Sequence, residues 1–283
     1  MRWIAALLLA LSAATAVLAQ LPPPARRAAP GLVEVATSRE LAPLLVQLAA
    51  AYRQQHPGIT ISIAARGSNF AMALLITAQA DLAVIGRGAS EQEAKGFEWI
   101  YHSPPAAQPL FAGSESRPGH SPRVAVLVST DSPLQSITLA QLAAHFLPGG
   151  SGRIFMPDAE SGTGRFFRHS VLADANQLDW DRITEFAETD HSRPGDVARK
   201  IAAEVARDPA TIGIADATPR RGVRAIPVTD AGDTLQRNVL AYFGHPARAE
   251  AAGFIRFIRS SQAALIIAAS PYTAIKSPPA TAP

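Results

Sequence analysis

The sequence contains no cysteine, and this absence removes several kinds of chemistry at once. Disulfide bonds, thiolate nucleophiles and a lipid anchor on an N-terminal cysteine are all excluded. Histidine occurs seven times, but the residues are scattered and no pair has the helical spacing of a metal-binding motif. We therefore expect neither a metal ion nor a cofactor.

A strong excess of one charge is also lacking. The chain has 26 Lys and Arg against 23 Asp and Glu, which gives a net charge of only +3. A nucleic-acid partner is not expected, because such proteins present a basic face to the phosphate backbone. Hydrophobic residues make up 48% of the chain, which is typical of a globular protein and not of a disordered one.

The N-terminus has the pattern of an export signal. Arg2 precedes an apolar run from Ile4 to Leu18, and small residues end the run at Ala19. We expect residues 1–19 to be a signal peptide cleaved after Ala19, which makes the mature protein periplasmic or secreted. The alternative is a retained membrane anchor, but the run is shorter than the about 20 apolar residues that cross a bilayer. Residues 20–30 predict a flexible leader and residues 277–283 a disordered tail, since both are rich in Pro and Ala.

Strand-like and helix-like patterns alternate through the first part of the mature chain. Apolar residues from Leu41 to Tyr52 recur at helical spacing, and Pro57-Gly58 follows the end of this helix. Further segments are predicted as the strands Leu32–Ala36, Ile59–Ala65 and Leu82–Ile85 and the helix Asn69–Ala78. Strands separated by helices predict an α/β fold with a mostly parallel sheet covered on both faces.

A second set of elements begins with a strand at Val124–Val128. The patterns then predict helices at Leu139–Phe146, Gly162–Leu172 and Asp196–Ala206, strands at Ile212–Ala215 and Leu235–Phe243, and a helix at Arg248–Arg259. We expect one lobe from residues 31–123 with 228–276 and a second lobe from residues 124–227. The chain would cross between them near Arg123 and near Val228, so that a two-stranded hinge borders a cleft.

Three loop-to-helix junctions share small polar residues: Ala36-Thr37-Ser38, Gly67-Ser68-Asn69 and Ser161-Gly162-Thr163-Gly164. Each junction offers unbonded backbone N–H groups, hydroxyl donors and the positive end of a helix dipole, which together favour an anion. The alternative is that the Ser, Thr and Asn residues are ordinary N-caps. Two of the junctions follow successive strands of one α/β unit, and ligands collect at strand ends in such sheets.

Arg87 follows the predicted strand Leu82–Ile85 at its carboxyl end. It is either a surface arginine or a cation beside the expected cleft, and the residues alone favour neither. Phe166 and Phe167, which follow the third junction, are interpreted as core residues of a helix.

Several segments resemble the periplasmic phosphate-binding components of ABC transporters. The segments that carry the resemblance are Gly67-Ser68-Asn69 with Ala80–Arg87, Val124–Val128 with Asp131–Leu134 and Ile137–Leu142, Glu160–Thr163, Ala210–Gly213, and Gly253–Ile258. Their order and spacing extend the resemblance from about Val33 to Ile275.

The resemblance implies a type II periplasmic-binding-protein fold, with two α/β lobes joined by a two-stranded hinge that close on a ligand. It also implies inorganic phosphate or a similar oxyanion as ligand, an ABC transporter permease as partner, and a monomer. By the same resemblance, the ligand contacts fall on Thr37, Ser38, Gly67, Ser68, Arg87, Ser161, Gly162 and Thr163. The backbone N–H groups of Asn69 and Gly164 are natural additions.

Two positions depart from the family pattern. Many members carry an Arg where this chain has Pro157. Phosphate binders of the family also have an Asp, which accepts the proton of hydrogen phosphate, where this chain has Gly86. Without that acceptor, the repulsion against a fully deprotonated anion is removed.

Two other classes of function are alternatives to an anion receptor. An enzyme could use Ser161 in a hydrolase triad, but the residue lacks the Gly-x-Ser-x-Gly setting of such nucleophiles. We therefore expect no catalysis. The remaining alternative is a degenerate domain of the same fold that senses, scavenges or scaffolds, or that binds a different anion.

Overall fold

The computed structural model describes residues 29–113 and 124–275, apart from positions 174, 176, 188, 190, 191, 194, 217, 219, 233, 234, 236 and 245. Four of the expected features lie outside the described residues. They are the signal peptide, residues 20–28 of the leader, the tail and the crossing near Arg123.

The described residues form two sheets with helices on their faces. The chain begins with β1 (Leu32–Thr37), α1 (Ala42–Gln55), β2 (Thr60–Ala65), α2 (Ser68–Ile76), β3 (Leu82–Ile85), α3 (Glu91–Tyr101) and β4 (Ala106–Gly113). It continues with β5 (Val124–Ser129), α4 (Leu139–Phe146), β6 (Ile154–Pro157), α5 (Gly162–Ser170), β7 (Ile183–Phe186), α6 (Asp196–Val205), β8 (Ile212–Asp216) and β9 (Val223–Ile226). It ends with β10 (Asn238–Phe243), α7 (Ala249–Ile258), α8 (Ser261–Ala268) and β11 (Tyr272–Ala274).

The first sheet has the strand order β11-β4-β10-β3-β1-β2. β1 pairs in parallel with β2 and β3, as the strand–helix alternation predicts. The pairings of β10 with β3 and β4, and of β11 with β4, are antiparallel. The expectation of a mostly parallel sheet is therefore right for the first three strands and wrong for the other half of the sheet.

The second sheet has the strand order β7-β6-β8-β5-β9. β6 pairs in parallel with β7 and β8, whereas β5 pairs antiparallel with β8 and β9. In both sheets the parallel strands therefore end in loops at one edge, and these loops carry the polar residues described below.

Each sheet is covered by apolar side chains on both faces. In the first sheet, α1, α7 and α8 bury residues such as Leu45 and Phe254 on one face, and α2 and α3 bury Met72 and Phe97 on the other. In the second sheet, α4 and α5 contribute Phe146 and Phe167 to one face, and α6 packs on the other. Of the two predicted core residues, Phe167 is fully buried, and Phe166 is partly buried and packs against the same cluster. The loops are held at the sheet edges by these two packed layers.

The elements predicted from periodicity are all present, with ends that differ by at most three residues. The patterns do not predict α3, α8, β4, β6, β7, β9 or β11. The pattern does not predict β4 because Pro109 interrupts its apolar run. The pairing of β4 with β10 shifts register between Val239 and Leu240, opposite this proline, which has no N–H to donate.

No single described helix is long and apolar enough to cross a membrane; α7 and α8 meet the length and hydropathy requirements only as a pair, with a bend of 60° between them.

Candidate functional site

A cavity of about 190 Å³ lies where the carboxyl edges of the two sheets face each other. The first sheet contributes Ser38, Gly67, Ser68, Asn69 and Gly86 to its lining, and the second contributes Pro157, Asp158, Ser161, Gly162, Thr163 and Asp216. All three predicted junctions therefore place residues around one space. The cavity is smaller than the about 300–1,000 Å³ typical of sites for drug-sized ligands, so it suits a small solute.

The N-terminus of α2 opens on the cavity without a side-chain cap. Its N-cap residue is Gly67, which has φ +110° and supplies no side-chain oxygen. The first intrahelical bond runs from the N–H of Ala71 to the carbonyl of Gly67. The N–H groups of Ser68, Asn69 and Phe70 therefore precede the helical ladder, and these three residues also line the cavity. The arrangement leaves a positive helix end free for an anion.

The N-terminus of α5 reaches the cavity from the second sheet. Ser161 is its N-cap, and its Oγ accepts a 2.9 Å hydrogen bond from the N–H of Gly164. The same hydroxyl donates a 2.8 Å bond to the carbonyl of Asp158. Because the Ser161 hydroxyl is engaged on both sides, the donors left at this helix end are the N–H groups of Gly162 and Thr163 and the Thr163 hydroxyl.

Thr37 and Ser38 differ in what they touch. Thr37 is fully buried and outside the cavity lining, and its hydroxyl donates a 2.6 Å bond to the carbonyl of Val84. Its own carbonyl accepts from the N–H groups of Arg66 and Gly67, which shapes the turn before α2. Ser38 does line the cavity.

Arg87 lies buried behind α2 and is not among the residues that line the cavity. Its guanidinium donates 2.7 Å bonds to both carboxylate oxygens of Glu93 and to Oδ1 of Asn69, and a 2.8 Å bond to the carbonyl of Gly88. Burial raises the pKa of Glu93, but the bonds from Arg87 and from the Ser90 N–H outweigh it, so the net pKa lies below its usual range. Arg87 thus fixes the side chain of Asn69.

Arg237 is a cavity residue that the sequence analysis did not find. It follows the second crossing between the sheets, and its backbone carbonyl accepts a 2.9 Å bond from the N–H of Gly113. Its side chain is only 4% exposed. The guanidinium donates a 2.8 Å bond to Oγ1 of Thr163 in the second sheet's helix and a 3.2 Å bond to Glu40 near α1. No spacing motif marks this residue in the sequence; the sequence feature that relates to it is Gly86, where a β-carbon would lie 3.2 Å from Nε of Arg237.

Carboxylates also border the cavity. The pKa of Asp158 is raised by burial, which outweighs the backbone N–H groups that bond to it. Asp216 is partly buried, and bonds from Arg220 and Thr218 outweigh the effect of burial and lower its net pKa. The two groups therefore differ in charge state on acidification, and Asp158 is the one that takes up a proton first. Within the described part of the chain, no cluster of three or more His, Asp or Glu side chains could hold a metal ion.

The fold and the site together define a class of protein that binds a small solute between two α/β units. The model of the family described as bacterial extracellular solute-binding protein matches residues 33–272, and the chain belongs to this family. No curated protein matches the chain in sequence.

Solved structures share the fold at low sequence identity. A substrate-binding protein from Clostridium perfringens with bound phosphate superposes with a TM-score of 0.63 at 15% identity, covering 87% of this chain and 100% of that one. An ABC-type phosphate transport receptor from Vibrio cholerae gives a TM-score of 0.63 at 18% identity, covering 86% and 100%. The regulatory domain of MetR, a LysR family regulator from N. meningitidis, gives 0.53 at 17% identity, covering 87% and 100%.

These comparisons confirm the type II periplasmic-binding-protein fold and the resemblance to phosphate-binding components of ABC transporters that the sequence motifs carry. They also show that the regulatory domain of a LysR family regulator shares the fold.

Proposed function

We propose that this protein captures a small oxyanion, with phosphate the first candidate, in the cavity between its two sheets and delivers it to an ABC transporter. The observation that carries the proposal is the meeting of two helix N-termini from different sheets, at Ser68 and at Gly162, in one small cavity. A negative guest there would receive bonds from both sheets at once.

The physical chemistry of the cavity supports an anion. Two helix ends supply partial positive charge, and hydrogen bonds to an ionised acceptor are roughly twice as strong as neutral ones. Ser38, Ser68 and Thr163 add hydroxyl groups to the lining. Oγ1 of Thr163 already accepts a bond from Arg237, so its proton is free to be donated to a ligand.

The contacts that we assign follow from this geometry. We assign direct contacts to Ser38, to both the hydroxyl and the N–H of Ser68, to the N–H groups of Asn69 and Phe70, and to Gly162 and Thr163. Thr37, Gly67, Arg87, Ser161 and Gly164 have the different role of building and holding the two helix ends, since each is bonded within the protein. Ser161 is not a nucleophile in this assignment, because its hydroxyl proton is donated to the carbonyl of Asp158.

The place of action that we infer is outside the cytoplasm, after removal of residues 1–19. Membership of a family of extracellular solute-binding proteins supports this location. The protein acts as a monomer and closes its two units on the ligand. An ABC permease then receives the solute, and the fold shared with an ABC-type phosphate transport receptor supports this partner.

Isothermal titration of phosphate into protein stripped of bound anions tests the proposal. We expect saturable binding in the micromolar range or tighter, and a loss of about tenfold in affinity for Ser68→Ala, since one hydrogen bond to a charged group is removed. Ser103→Ala, which changes a serine outside the cavity, is the control and should bind as the unchanged protein does. Absence of heat with phosphate, sulfate and arsenate alike would overturn the proposal.

A further inference from the structure

Four carboxylates line the cavity, and they differ in whether an arginine neutralises them. Three of them form an ion pair: Glu40 with Arg237, Glu160 with Arg165, and Asp216 with Arg220. Asp158 is the lining carboxylate that forms no ion pair with any residue that the structure describes. Its negative charge is therefore not neutralised by a direct partner.

The carboxylate of Asp158 has one oxygen in use and one to spare. Oδ1 accepts a 2.9 Å hydrogen bond from the N–H of Glu160, two residues further along the loop. Oδ2 accepts no hydrogen bond from the described part of the chain. Since each oxygen of an ionised carboxyl group can accept, Oδ2 is an acceptor at the cavity that the protein itself does not use.

The surroundings of Asp158 make it a strong proton acceptor. Burial raises the pKa of this carboxyl, and the charge of Glu160 adds to the effect. The pKa of Glu185 on β7 is raised as well, by burial first and in part by the charge of Asp158. A carboxylate whose pKa is raised in this way binds a shared proton more strongly than an exposed one does.

The two helix N-termini at the same cavity have the opposite chemistry. The backbone N–H groups of Ser68, Asn69 and Thr163 donate hydrogen bonds and cannot accept a proton. Sulfate would satisfy these donors, but it would also place its lone pairs against those of Oδ2 of Asp158. Hydrogen phosphate can donate its O–H to Oδ2 and direct its other oxygens to the helix ends. The lining therefore suits an oxyanion that donates one proton and accepts the rest of its bonds.

We infer that Asp158 is a specificity-determining residue, whose Oδ2 accepts the proton of a protonated tetrahedral oxyanion held by the two helix N-termini. Hydrogen phosphate represents this class at neutral pH, whereas sulfate has no proton to share. Gly86 lines the same cavity without a side chain, so the acceptor comes from the second sheet. The inference rests on the proposed function and narrows its ligand class.

Titration calorimetry at pH 7 on purified protein stripped of anions tests the inference, with phosphate and sulfate as separate probes. We expect the phosphate Kd to lie about tenfold or more below the sulfate Kd, since one charge-assisted hydrogen bond replaces a repulsion. Sulfate binding as tight as phosphate binding, or tighter, would overturn the inference and leave the proposed function intact. No binding of either anion would overturn the proposed function itself.

Monofluorophosphate tests the role of the proton without any change to the protein. At pH 7 this ion is a tetrahedral phosphorus dianion in which fluorine replaces the hydroxyl group, so it has no proton to donate. We expect it to bind about tenfold more weakly than phosphate, because Oδ2 of Asp158 then has no partner. Equal affinity for the two ions would show that no proton is shared in the complex.

Asp158→Asn separates an acceptor from a residue that only shapes the loop. The amide can keep its oxygen on the N–H of Glu160, and it then presents a donor in place of Oδ2. We expect phosphate to bind about tenfold more weakly and sulfate about threefold to tenfold more tightly. Asp208→Asn is the matched control: Oδ1 of Asp208 accepts a 2.9 Å bond from the N–H two residues further on, and this exposed side chain lies outside the cavity lining.

Glu160→Gln tests whether another lining carboxylate has this role. The preference for phosphate should be unchanged, since Glu160 is paired with Arg165 and its side chain is 61% exposed. Thermal melts verify that each variant is folded, and if Asp158→Asn does not fold, monofluorophosphate still decides the question. Equal weakening of both anions in folded Asp158→Asn, or a reversed preference in Glu160→Gln, would contradict the role of Asp158.

Discussion

Oγ of Ser68, at the start of α2, lies against Gly162, at the start of α5: a β-carbon on Gly162 would stand 3.1 Å from this oxygen. The same β-carbon would lie 3.5 Å from NH1 of Arg237. The N-termini of two helices from different sheets thus approach each other with no side chain between them, and the arginine adjoins both. This close approach is what turns two ordinary helix ends into one site.

Replacement of Gly162 by Ala tests that approach. The added methyl group should enter the space between Ser68 and Arg237 and displace a bound anion. We expect a loss of anion affinity of about tenfold or more, from one or two weakened charge-assisted bonds. Titration calorimetry measures it, with Gly58→Ala as control, and undiminished affinity in Gly162→Ala would show that the ligand lies elsewhere.

The charge of Asp158 predicts how anion binding depends on pH. Burial raises the pKa of this carboxyl, and a bound anion would raise it further, so binding should take up a proton as the pH falls through that pKa. Affinity for sulfate, which does not itself titrate in this range, should increase on acidification. Asp158→Asn should bind sulfate about threefold to tenfold more tightly at pH 7, which corresponds to roughly 1 kcal/mol of relieved repulsion.

Calorimetry of Asp158→Asn between neutral and mildly acidic pH supplies the measurement. The variant should also show no increase in sulfate affinity as the pH falls. A variant that binds sulfate more weakly than the unchanged protein at pH 7 would contradict this role.

The pair formed by Arg87 and Glu93 predicts a stability effect. Replacing Glu93 with Gln removes the ionised partner of a buried guanidinium and should lower the free energy of unfolding at pH 7 by about 1–3 kcal/mol. Because the folded pKa of Glu93 lies below its usual 4.5, the stabilisation is complete above pH 4.5 and is lost as the pH falls through the lower folded value. The difference between the two proteins should therefore shrink in acid.

Urea denaturation at neutral and acidic pH measures this difference. The matched control on the same helix is Glu91→Gln, whose carboxylate is in an exposed pair with Lys95 and should have no measurable effect. A Glu93→Gln variant as stable as the unchanged protein at pH 7 would show that the pair contributes nothing.

Gly164 is predicted to be intolerant of any side chain. A β-carbon there would overlap the carbonyl oxygen of Asp158 and would lie 2.7 Å from that of Pro157. These neighbours are backbone atoms that cannot rotate away, so Gly164→Ala should destabilise the protein by about 3 kcal/mol or more. Thermal unfolding checks it against Gly58→Ala, and equal melting temperatures would refute the predicted overlap.

The local features of the site could be predicted from the sequence. Gly67-Ser68 and Ser161-Gly162 follow strands and begin helices, and a junction of that kind depends only on neighbouring residues. The common edge at which such junctions meet follows from the parallel pairing of β1, β2 and β3. That part of the fold and of the site is therefore accessible to pattern reasoning.

The side-chain partners could not be predicted in the same way. Arg87 follows β3 as expected, but its guanidinium donates hydrogen bonds to the carboxylate of Glu93. Glu93 lies on α3, a helix that the patterns do not predict. Arg237 reaches Thr163 and Glu40 only because the chain crosses back between the sheets at that point. Contacts between residues so distant in sequence depend on tertiary packing, which local periodicity does not record.

The most direct test of the account is a crystal structure of the anion-stripped protein after soaking with sulfate or phosphate. We predict one tetrahedral anion in the cavity, within hydrogen-bond distance of the N–H groups of Asn69 and Thr163 and of the Arg237 guanidinium. An anion bound elsewhere, with the two helix N-termini left empty in its presence, would contradict the claim that they form the binding site.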